Sequence, residues 1–432
     1  MLLSADWVVP IDRAPVRDGA VVVLGDTVVD VGPRRELEIR YPAEERAEFP
    51  GCVMTPGLVN AHAHLTLTAL SGVVPSLPFA EWLPRLVIAL GPWEIADHEA
   101  SGVVGAELSL LSGVTVVGDI AYGAAEVVSA ARAGLGGVFY WEILGIDASE
   151  LPAELDTLRY PSPSDTHGAR VTPGLSPHSP YTSGPGLLKA VHDHAGRRGA
   201  PVAIHVAESA AERELMHDGT GPLAAVAGRT AHGFSAPGVG TVAYLTDLGV
   251  LDGATAVHLC QLEAGDIELL AASVRGAVTC PRSNRYLYNP PPRIAPLLAA
   301  GIAVGIGTDS AASNADLDLL NEVRAVRSAE PTIPPDTLIE MATSRGARAI
   351  GVGDRFGALV PGFQADLALF AVGPTEDPVR ALLDRGGAQR LRAVMSGGVW
   401  RVSEGRLVTH DAAAAVRAQS ARAASMAAIG RD

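Results

Sequence analysis

The central part of this chain alternates short apolar segments, typical of buried strands, with longer segments that carry a helical pattern. Helical patterns such as His98–Ser112 and Asp336–Ile350 lie between or after the apolar segments. Eight segments are predicted to be strands: Leu58–Ala61, Val114–Asp119, Gly137–Leu144, Val171–Leu175, Val202–Val206, Ala254–Leu259, Gly276–Cys280 and Ile302–Gly307. Eight buried strands that alternate with helices over roughly 300 residues predict an α/β fold with a (β/α)8 TIM-like barrel, and an open doubly wound sheet is the alternative.

Both ends of the chain carry further short strand predictions that fall outside the barrel. They are Ala20–Leu24, Thr27–Val31, Ala47–Val53, Asp366–Phe370, Ala393–Ser396 and Val399–Val402. Gly25-Asp26 and Gly397-Gly398 are turn signals between consecutive members. We expect the two ends to form one small β-sandwich, followed by a helix at Ala412–Ile429. The predicted domain boundaries are 1–54 and 356–410 for the β-sandwich, 55–355 for the barrel and 411–432 for the C-terminal helix.

The charge and composition of the chain limit the kinds of molecule that it is expected to bind and its expected location. The chain has 33 basic against 48 acidic residues, a net charge of −15 without a basic stripe, which argues against nucleic acid and anionic membranes. No apolar stretch reaches the roughly 18 residues of a membrane span, and the N-terminus lacks a signal-peptide pattern. Cys52, Cys260 and Cys280 have no paired spacing, so we expect reduced thiols and a cytoplasmic location.

The clearest single motif is Asn60–His64, at the end of the first predicted barrel strand. Side chains alternate along a strand, so residues two apart point to the same side. His62 and His64 can therefore share one metal ion.

The same spacing occurs at His192 and His194, which shows that spacing alone is weak evidence. These two lie in Ser183–Gly196, which the sequence predicts to be a helix ended by its glycine. Residues two apart on a helix do not face each other. We therefore interpret His192 and His194 as ordinary surface residues.

Further polar groups follow other predicted strands, at the barrel end where catalytic groups normally lie. They are His178 after the fourth strand, His205 and Glu208 after the fifth, His258 after the sixth, Cys280–Asn284 after the seventh and Asp309 after the eighth. Each one alone could be a packed core residue. Their recurrence at successive strand ends predicts a site.

A three-nitrogen, one-oxygen ligand set suits Zn²⁺, with Fe²⁺ as the alternative. The predicted ligands are His62, His64, His205 and Asp309. A metal ion of this kind lowers the pKa of a bound water toward neutrality. Asp309 is also predicted to orient the attacking oxygen.

Glu208 and His258 are the other predicted catalytic residues. Glu208 is placed to shuttle a proton, and its alternative role is the N-terminal carboxylate of a helix predicted at Ser209–His217. His258 is placed to steady a tetrahedral intermediate, with simple packing at the barrel mouth as its alternative.

Four motifs together resemble the amidohydrolase superfamily, and more narrowly its chlorohydrolase and aminohydrolase branch, which includes adenosine-type deaminases. They are Pro56–His64, His205–Glu208, Cys280–Asn284 and Gly307–Asn314. The resemblance implies one metal ion held by the ligands already named, catalytic help from Glu208 and His258, and His178 as a substrate contact. Binuclear branches use a carboxylated lysine from strand 3 or 4. The only lysine here, Lys189, lies in the following helix, which supports a single metal ion.

Two further segments, Phe79–Leu83 and Tyr140–Leu144, resemble the aminodeoxyfutalosine deaminases, which act on a 6-aminopurine nucleoside in an alternative menaquinone route. The predicted substrate contacts are His178, Glu142, Trp82 and Arg282. The loop Tyr286–Pro292 departs from the glycine-containing loop expected there. Its three prolines stiffen the loop and can change the shape of the substrate pocket. The sequence therefore does not determine the exact substrate.

The sequence thus predicts a metal-dependent hydrolytic deaminase that acts on an aminated heteroaromatic small molecule, with a 6-aminopurine nucleoside such as aminodeoxyfutalosine as the expected substrate. A hydrolase of an amide or of another C–N or C–Cl bond is the alternative enzyme. A catalytically silent scaffold is a third alternative, against which the complete set of polar residues argues. The sequence does not distinguish a monomer from a homo-oligomer.

Overall fold

The computed structural model describes residues 1–145, 148–151, 170–230 and 234–430. Within these residues sixteen strands form three sheets. The strands are β1 Leu2–Val8, β2 Val16–Leu24, β3 Thr27–Pro33, β4 Arg46–Pro56, β5 Leu58–Ala63, β6 Val114–Ala121, β7 Gly136–Ile143, β8 Val171–Pro177, β9 Ala203–Val206, β10 Thr255–His258, β11 Gly276–Thr279, β12 Val304–Ile306, β13 Leu367–Phe370, β14 Leu391–Ser396, β15 Val399–Ser403 and β16 Arg406–Leu407.

Helices follow most of the central strands. They are α1 Arg34–Arg40, α2 Phe79–Leu90, α3 Ile95–Leu110, α4 Ala124–Ala133, α5 Pro185–Arg198, α6 Ala210–Asp218, α7 Ala224–Thr230, α8 Thr241–Asp247, α9 Asp266–Ser273, α10 Pro281–Tyr286, α11 Ile294–Ala299, α12 Leu319–Ala329, α13 Pro335–Met341, α14 Ser344–Ala349, α15 Pro378–Arg385 and α16 Ala412–Ile429. Short 3₁₀ helices lie at Leu65–Leu70, Ala148–Glu150 and Ala388–Arg390. No helix among the described residues is long and apolar enough to cross a bilayer.

The eight central strands are parallel, and each overlaps the segment that the sequence predicted for it. They form two sheets, β5-β6-β7-β8 and β12-β11-β10-β9. Two isolated parallel bridges, Leu175↔Val202 and Ala63↔Asp309, connect the outer strands of one sheet to those of the other. All residues of β6 are buried, as expected for parallel strands covered on both faces. The predicted α/β class is therefore confirmed.

Both ends of the chain enter one mixed sheet of eight strands, in the order β16-β15-β14-β13-β4-β1-β2-β3. The ring centroids of Phe49 in β4 and Trp400 in β15 are 5.7 Å apart, although the two strands are three positions apart in the sheet. The sheet therefore bends back on itself. The turns of the two predicted hairpins also meet. A Cβ atom on Gly398 would lie 1.9 Å from the carbonyl oxygen of Gly25.

Two details differ from the sequence-based expectations. The helix expected over Asp336–Ile350 is two helices, α13 and α14, because Thr343 has non-helical angles of φ −141° and ψ −103°. The interpretation of His194 as a surface residue is wrong, since it is 6% exposed on the inner face of α5. His192 is half-buried, and its Nε2 lies 3.0 Å from the Asp252 carbonyl oxygen.

A buried ion pair connects the terminal sheet to the parallel strands. Arg170, just before β8, donates to both carboxylate oxygens of Asp366 at 2.7 and 2.9 Å. The same guanidinium also donates to Ser396 of β14 at 2.7 Å. The side chains of Arg170 and Asp366 are 7% and 3% exposed, so each charge depends on the other for compensation.

Asp366→Ala should therefore lower the free energy of unfolding by about 3 to 5 kcal/mol, because Arg170 is left buried without its carboxylate. Chemical denaturation of wild type and variant measures this difference. Glu376→Ala is the matched control: its pair with Arg17 is 79% and 65% exposed, and the change should stay within about 1 kcal/mol. Equal small losses in both variants would contradict a stabilising role for the buried pair.

Candidate metal centre and active site

The predicted ligands converge at the C-terminal ends of three parallel strands. His62 is the last residue but one of β5 and His64 follows the strand, His205 lies in β9, and Asp309 follows β12. One ligand atom from each of the three histidines lies within 4.8 Å of the other two. His64, His205 and Asp309 line a cavity of about 1110 Å³ that opens above the strand ends.

The orientation of His205 is fixed by the main chain. Its Nδ1 lies 2.8 Å from the carbonyl oxygen of His178 and donates to it. The proton therefore stays on Nδ1, and Nε2 keeps its lone pair for an ion. Burial lowers the pKa of His205 well below its usual range, so the ring is neutral.

His62 and His64 present nitrogens that no other group uses. His62 Nε2 and His64 Nδ1 are buried and have no hydrogen-bond partner among the described residues. Buried polar atoms rarely lack a partner in a folded protein, and a bound ion would satisfy His62 Nε2. His64 would offer the same ion its Nε2, the nitrogen that faces Asp309. Burial also lowers the pKa of both rings, which favours the neutral, metal-binding form.

Asp309 completes the group from the C-terminal end of β12, the last strand of the parallel series. Its backbone amide donates to the carbonyl oxygen of His62 at 3.0 Å, and its φ of 58° turns the side chain toward the histidines. Oδ2 accepts a hydrogen bond from Ser283 Oγ at 2.6 Å. Oδ1 lies 3.7 Å from His62 Nε2 and 3.6 Å from His64 Nε2.

These residues fit one divalent ion. Ligands about 2.0 to 2.2 Å from a tetrahedral zinc ion lie about 3.4 Å apart, close to the separations between Asp309 Oδ1 and the histidine nitrogens. The donor set is borderline in character, neutral at its nitrogens and oriented by outer hydrogen bonds. The site therefore has the chemistry of a mononuclear centre.

Glu208 and His258 lie together beside this centre. Glu208 is 3% exposed and His258 is 2% exposed, and Glu208 Oε1 lies 3.9 Å from His258 Nε2. Burial raises the pKa of Glu208 well above its usual range, so its carboxyl group holds a proton readily. His258 donates from Nδ1 to Asn284 Oδ1 at 2.9 Å, which leaves Nε2 free to accept. Such a pair can orient water and move protons.

His178 and Glu142, two of the predicted substrate contacts, line the same cavity. His178 Nδ1 lies 2.8 Å from Thr182 Oγ1, and its Nε2 lies 4.0 Å from Glu142 Oε1. Burial lowers the pKa of His178 to about 3, so the ring is neutral near pH 7. A neutral imidazole and a carboxyl group facing one space can bind a polar ring edge.

The outer wall of the cavity is apolar. Trp82 is 4% exposed and lines the wall together with several neighbours from α2. The α2 residues that line the cavity are Phe79, Trp82, Leu83, Pro84, Leu86, Val87, Ile88 and Leu90. The polar floor and this apolar wall form one cavity that suits a ligand with a polar head and an apolar flank.

Arg282 is the one predicted substrate contact that the structure does not bring to the cavity. Its guanidinium donates to both carboxylate oxygens of Asp316 at 2.7 and 3.0 Å, and Glu322 lies 3.5 Å away. The next two residues of the same motif face the site instead. Ser283 holds Asp309 and Asn284 holds His258.

The sequence places the segment Cys280–Asn284 at a strand end of the predicted site but indicates no role for Ser283 or Asn284 individually. Pro281 starts the short helix α10 directly after β11, so successive residues point in different directions around one turn. The signal that could have found them is the presence of two small polar residues in the first turn after a barrel strand.

Residues 53–401 match the Amidohydrolase family. A 5-methylthioadenosine/S-adenosylhomocysteine deaminase of Pelotomaculum thermopropionicum is 32% identical over 369 residues, which cover 82% of this chain and 80% of the relative. An aminodeoxyfutalosine deaminase of Deinococcus radiodurans is 36% identical over 355 residues, covering 77% and 81%. A crystal structure of an adenosine deaminase from Xanthomonas campestris with bound zinc has a TM-score of 0.83 at 26% identity, covering 98% and 97%.

We expect close to one equivalent of zinc or iron in the purified protein, and loss of it in His205→Ala because the ligand from β9 disappears. Elemental analysis by mass spectrometry measures both values. His192→Ala is the control, since that histidine lies on α5 and bonds Asp252 outside the centre. Two tightly bound equivalents in the wild type, or equal metal loss in both variants, would contradict this ligand set.

Proposed function

Because this chain belongs to the amidohydrolase family, we propose that it is a metal-dependent hydrolytic deaminase that releases ammonia from a 6-aminopurine nucleoside. Family membership and the deaminase relatives make it a hydrolase of non-peptide carbon–nitrogen bonds. The observation that carries the proposal is Glu208, a buried carboxyl group 3.9 Å from His258 that lines the same cavity as His64 and His205 and lies outside the predicted ligand set.

A hydrolytic deaminase must move protons at two atoms. Water supplies the oxygen that bonds to C6 of the purine, the ring nitrogen N1 gains a proton, and the C6–N bond breaks as ammonia leaves. Glu208 accepts one proton from the water and delivers it to N1, and it then accepts the proton of the new C6 hydroxyl group and delivers that one to the leaving amino group. His258 Nε2 accepts a hydrogen bond from the same water, which directs a lone pair of the water oxygen toward C6.

The metal ion of this proposal is held by His62, His64, His205 and Asp309. When bound, a divalent ion lowers the pKa of water and so supplies a nucleophile near neutral pH. Asp309 keeps its carboxylate oriented through Ser283, and His205 keeps its tautomer through the His178 carbonyl oxygen. These outer contacts fix the direction of each ligand before the substrate arrives.

The same proposal includes the finer architecture. The two isolated bridges between the sheets β5-β6-β7-β8 and β12-β11-β10-β9 support closure of the eight parallel strands into one barrel. The contact between Gly25 and Gly398 supports a small sandwich built from residues 1–54 and 356–410. Residues 55–355 would then carry the barrel and 411–432 the final helix.

Aminodeoxyfutalosine is the proposed substrate. With this substrate the protein would act in the alternative menaquinone route. The Deinococcus radiodurans relative supports this assignment, whereas the Pelotomaculum thermopropionicum relative supports 5-methylthioadenosine or S-adenosylhomocysteine. His178 and Glu142 are the proposed contacts to the polar purine edge, and Trp82 flanks the remainder of the substrate.

A panel of these three nucleosides and adenosine tests the substrate assignment through ammonia release. We expect the highest kcat/KM for aminodeoxyfutalosine, because the large cavity with an apolar flank accommodates more than an unsubstituted nucleoside. A higher kcat/KM for another nucleoside would change the substrate assignment and leave the proposed deamination reaction unchanged. Ammonia release from none of them, with metal bound, would refute the proposed function.

Glu208→Gln should lower kcat by about a hundredfold to ten-thousandfold, because the amide keeps the size of the side chain but cannot accept a proton. Metal content should stay at the wild-type value. Glu263→Gln is the control, since that carboxylate bonds Arg213 and His217 rather than lining the cavity. A Glu208→Gln variant within a few-fold of wild type would transfer the proton role to Asp309 or His258.

A further inference from the structure

The segment between β9 and α6 leaves the strand in an unusual conformation just before the proposed proton shuttle. Ala207 has a φ of 50°, in the left-handed region that residues with a side chain seldom adopt. Its carbonyl oxygen accepts the Gln261 amide at 2.8 Å. The turn sets the direction from which Glu208 enters the site.

Glu212 holds the other side of this turn. Its Oε1 accepts the Ala207 amide at 3.0 Å, and its Oε2 accepts the Glu208 amide at 2.7 Å. Thr241 Oγ1 of α8 donates to Oε1 as well, at 2.7 Å. Glu212 is 1% exposed, so its carboxylate is compensated by these three donors and by the start of α6.

Helix α6 does not need this carboxylate as its N-cap. Ser209 already performs that role, since its Oγ accepts the Glu212 amide at 3.1 Å. Burying a carboxylate is costly, and charge-assisted hydrogen bonds to two consecutive amides are strong and directional. The interaction therefore constrains the backbone of Ala207 and Glu208 rather than the helix.

We propose that Glu212 is a positioning residue that fixes the backbone of Glu208, so that the Glu208 carboxyl group stays beside His258 and above the three histidines. This inference rests on the proposed function, because it assigns Glu212 to the proton shuttle of that reaction. Glu212 itself does not touch the substrate.

Glu212→Gln tests the proposal. A glutamine offers one acceptor oxygen to two backbone donors, so at least one of the two hydrogen bonds is lost. We expect kcat to fall by about tenfold to a hundredfold, as misplacement of a catalytic group does, while KM stays within about twofold. The metal content should equal that of the wild type, because the three histidines are unchanged.

The chain supplies a matched control in Glu330, which makes the same kind of contact and is not part of the cavity lining. Its carboxylate accepts two consecutive amides, those of Ile294 and Ala295, at 2.6 and 2.7 Å at the start of α11. Glu330→Gln should lose stability comparably but keep the wild-type kcat. Equal loss of kcat in both variants, or wild-type kcat in Glu212→Gln, would overturn the positioning role.

Amide hydrogen exchange gives a readout that does not need a substrate. In Glu212→Gln, the peptide that contains Ala207 and Glu208 should exchange about tenfold faster, the effect of losing one strong hydrogen bond. The same peptide in Glu330→Gln should exchange at the wild-type rate. Unchanged exchange in Glu212→Gln would overturn the proposal even if no nucleoside is deaminated, whereas an inactive wild type with fast-exchanging Glu212→Gln would refute the proposed function alone.

Discussion

The parallel bridge between Ala63 and Asp309 is the contact on which the rest of the site depends. It joins the first and last strands of the parallel series, so the residues around it are far apart in sequence and adjacent in space. Through it, the Asp309 amide binds the His62 carbonyl oxygen and Oδ1 faces both His62 and His64. The predicted ligands from the first and last strands of this series meet because this register is fixed, and the other groups of the candidate site lie around them.

Backbone strain is concentrated at the same strand ends. In the described part of the chain, eight non-glycine residues have positive φ, and half of them surround the site: Ala207, His258, Leu259 and Asp309. Such conformations persist only where the surroundings over-determine them, and they are common where side chains must be aimed accurately. The carboxylate of Glu212, which accepts the Ala207 amide, and the hydrogen bonds of Asp309 with His62 and Ser283 supply that constraint. Part of the stability of the fold is therefore used to hold the geometry of the candidate site.

The strands and the histidine ligands could be predicted because their signals are local: apolar runs define the strands, and His62 and His64 share a face by period two. The hydrogen bonds that orient these site residues have no comparable local pattern in the sequence. Arg282, Ser283 and Asn284 are neighbours in sequence, yet the first turn of α10 sends Arg282 to Asp316 and the other two toward the site. Only the packing of α10 decides this.

The floor and the wall of the cavity come from different elements, which separates chemistry from substrate choice. The floor belongs to strand ends, while α2 supplies most of the apolar wall. The proline-rich loop Tyr286–Pro292, which replaces the glycine-containing loop expected there, contacts the apolar wall of the cavity. Phe79 at the start of α2 donates its amide to the Leu287 carbonyl oxygen at 3.1 Å, and Tyr286 Oη donates to the Val74 carbonyl oxygen at 2.8 Å. The three prolines therefore stiffen the segment that contacts the start of α2, so a change in this loop would alter the apolar wall of the cavity and leave its floor at the strand ends in place.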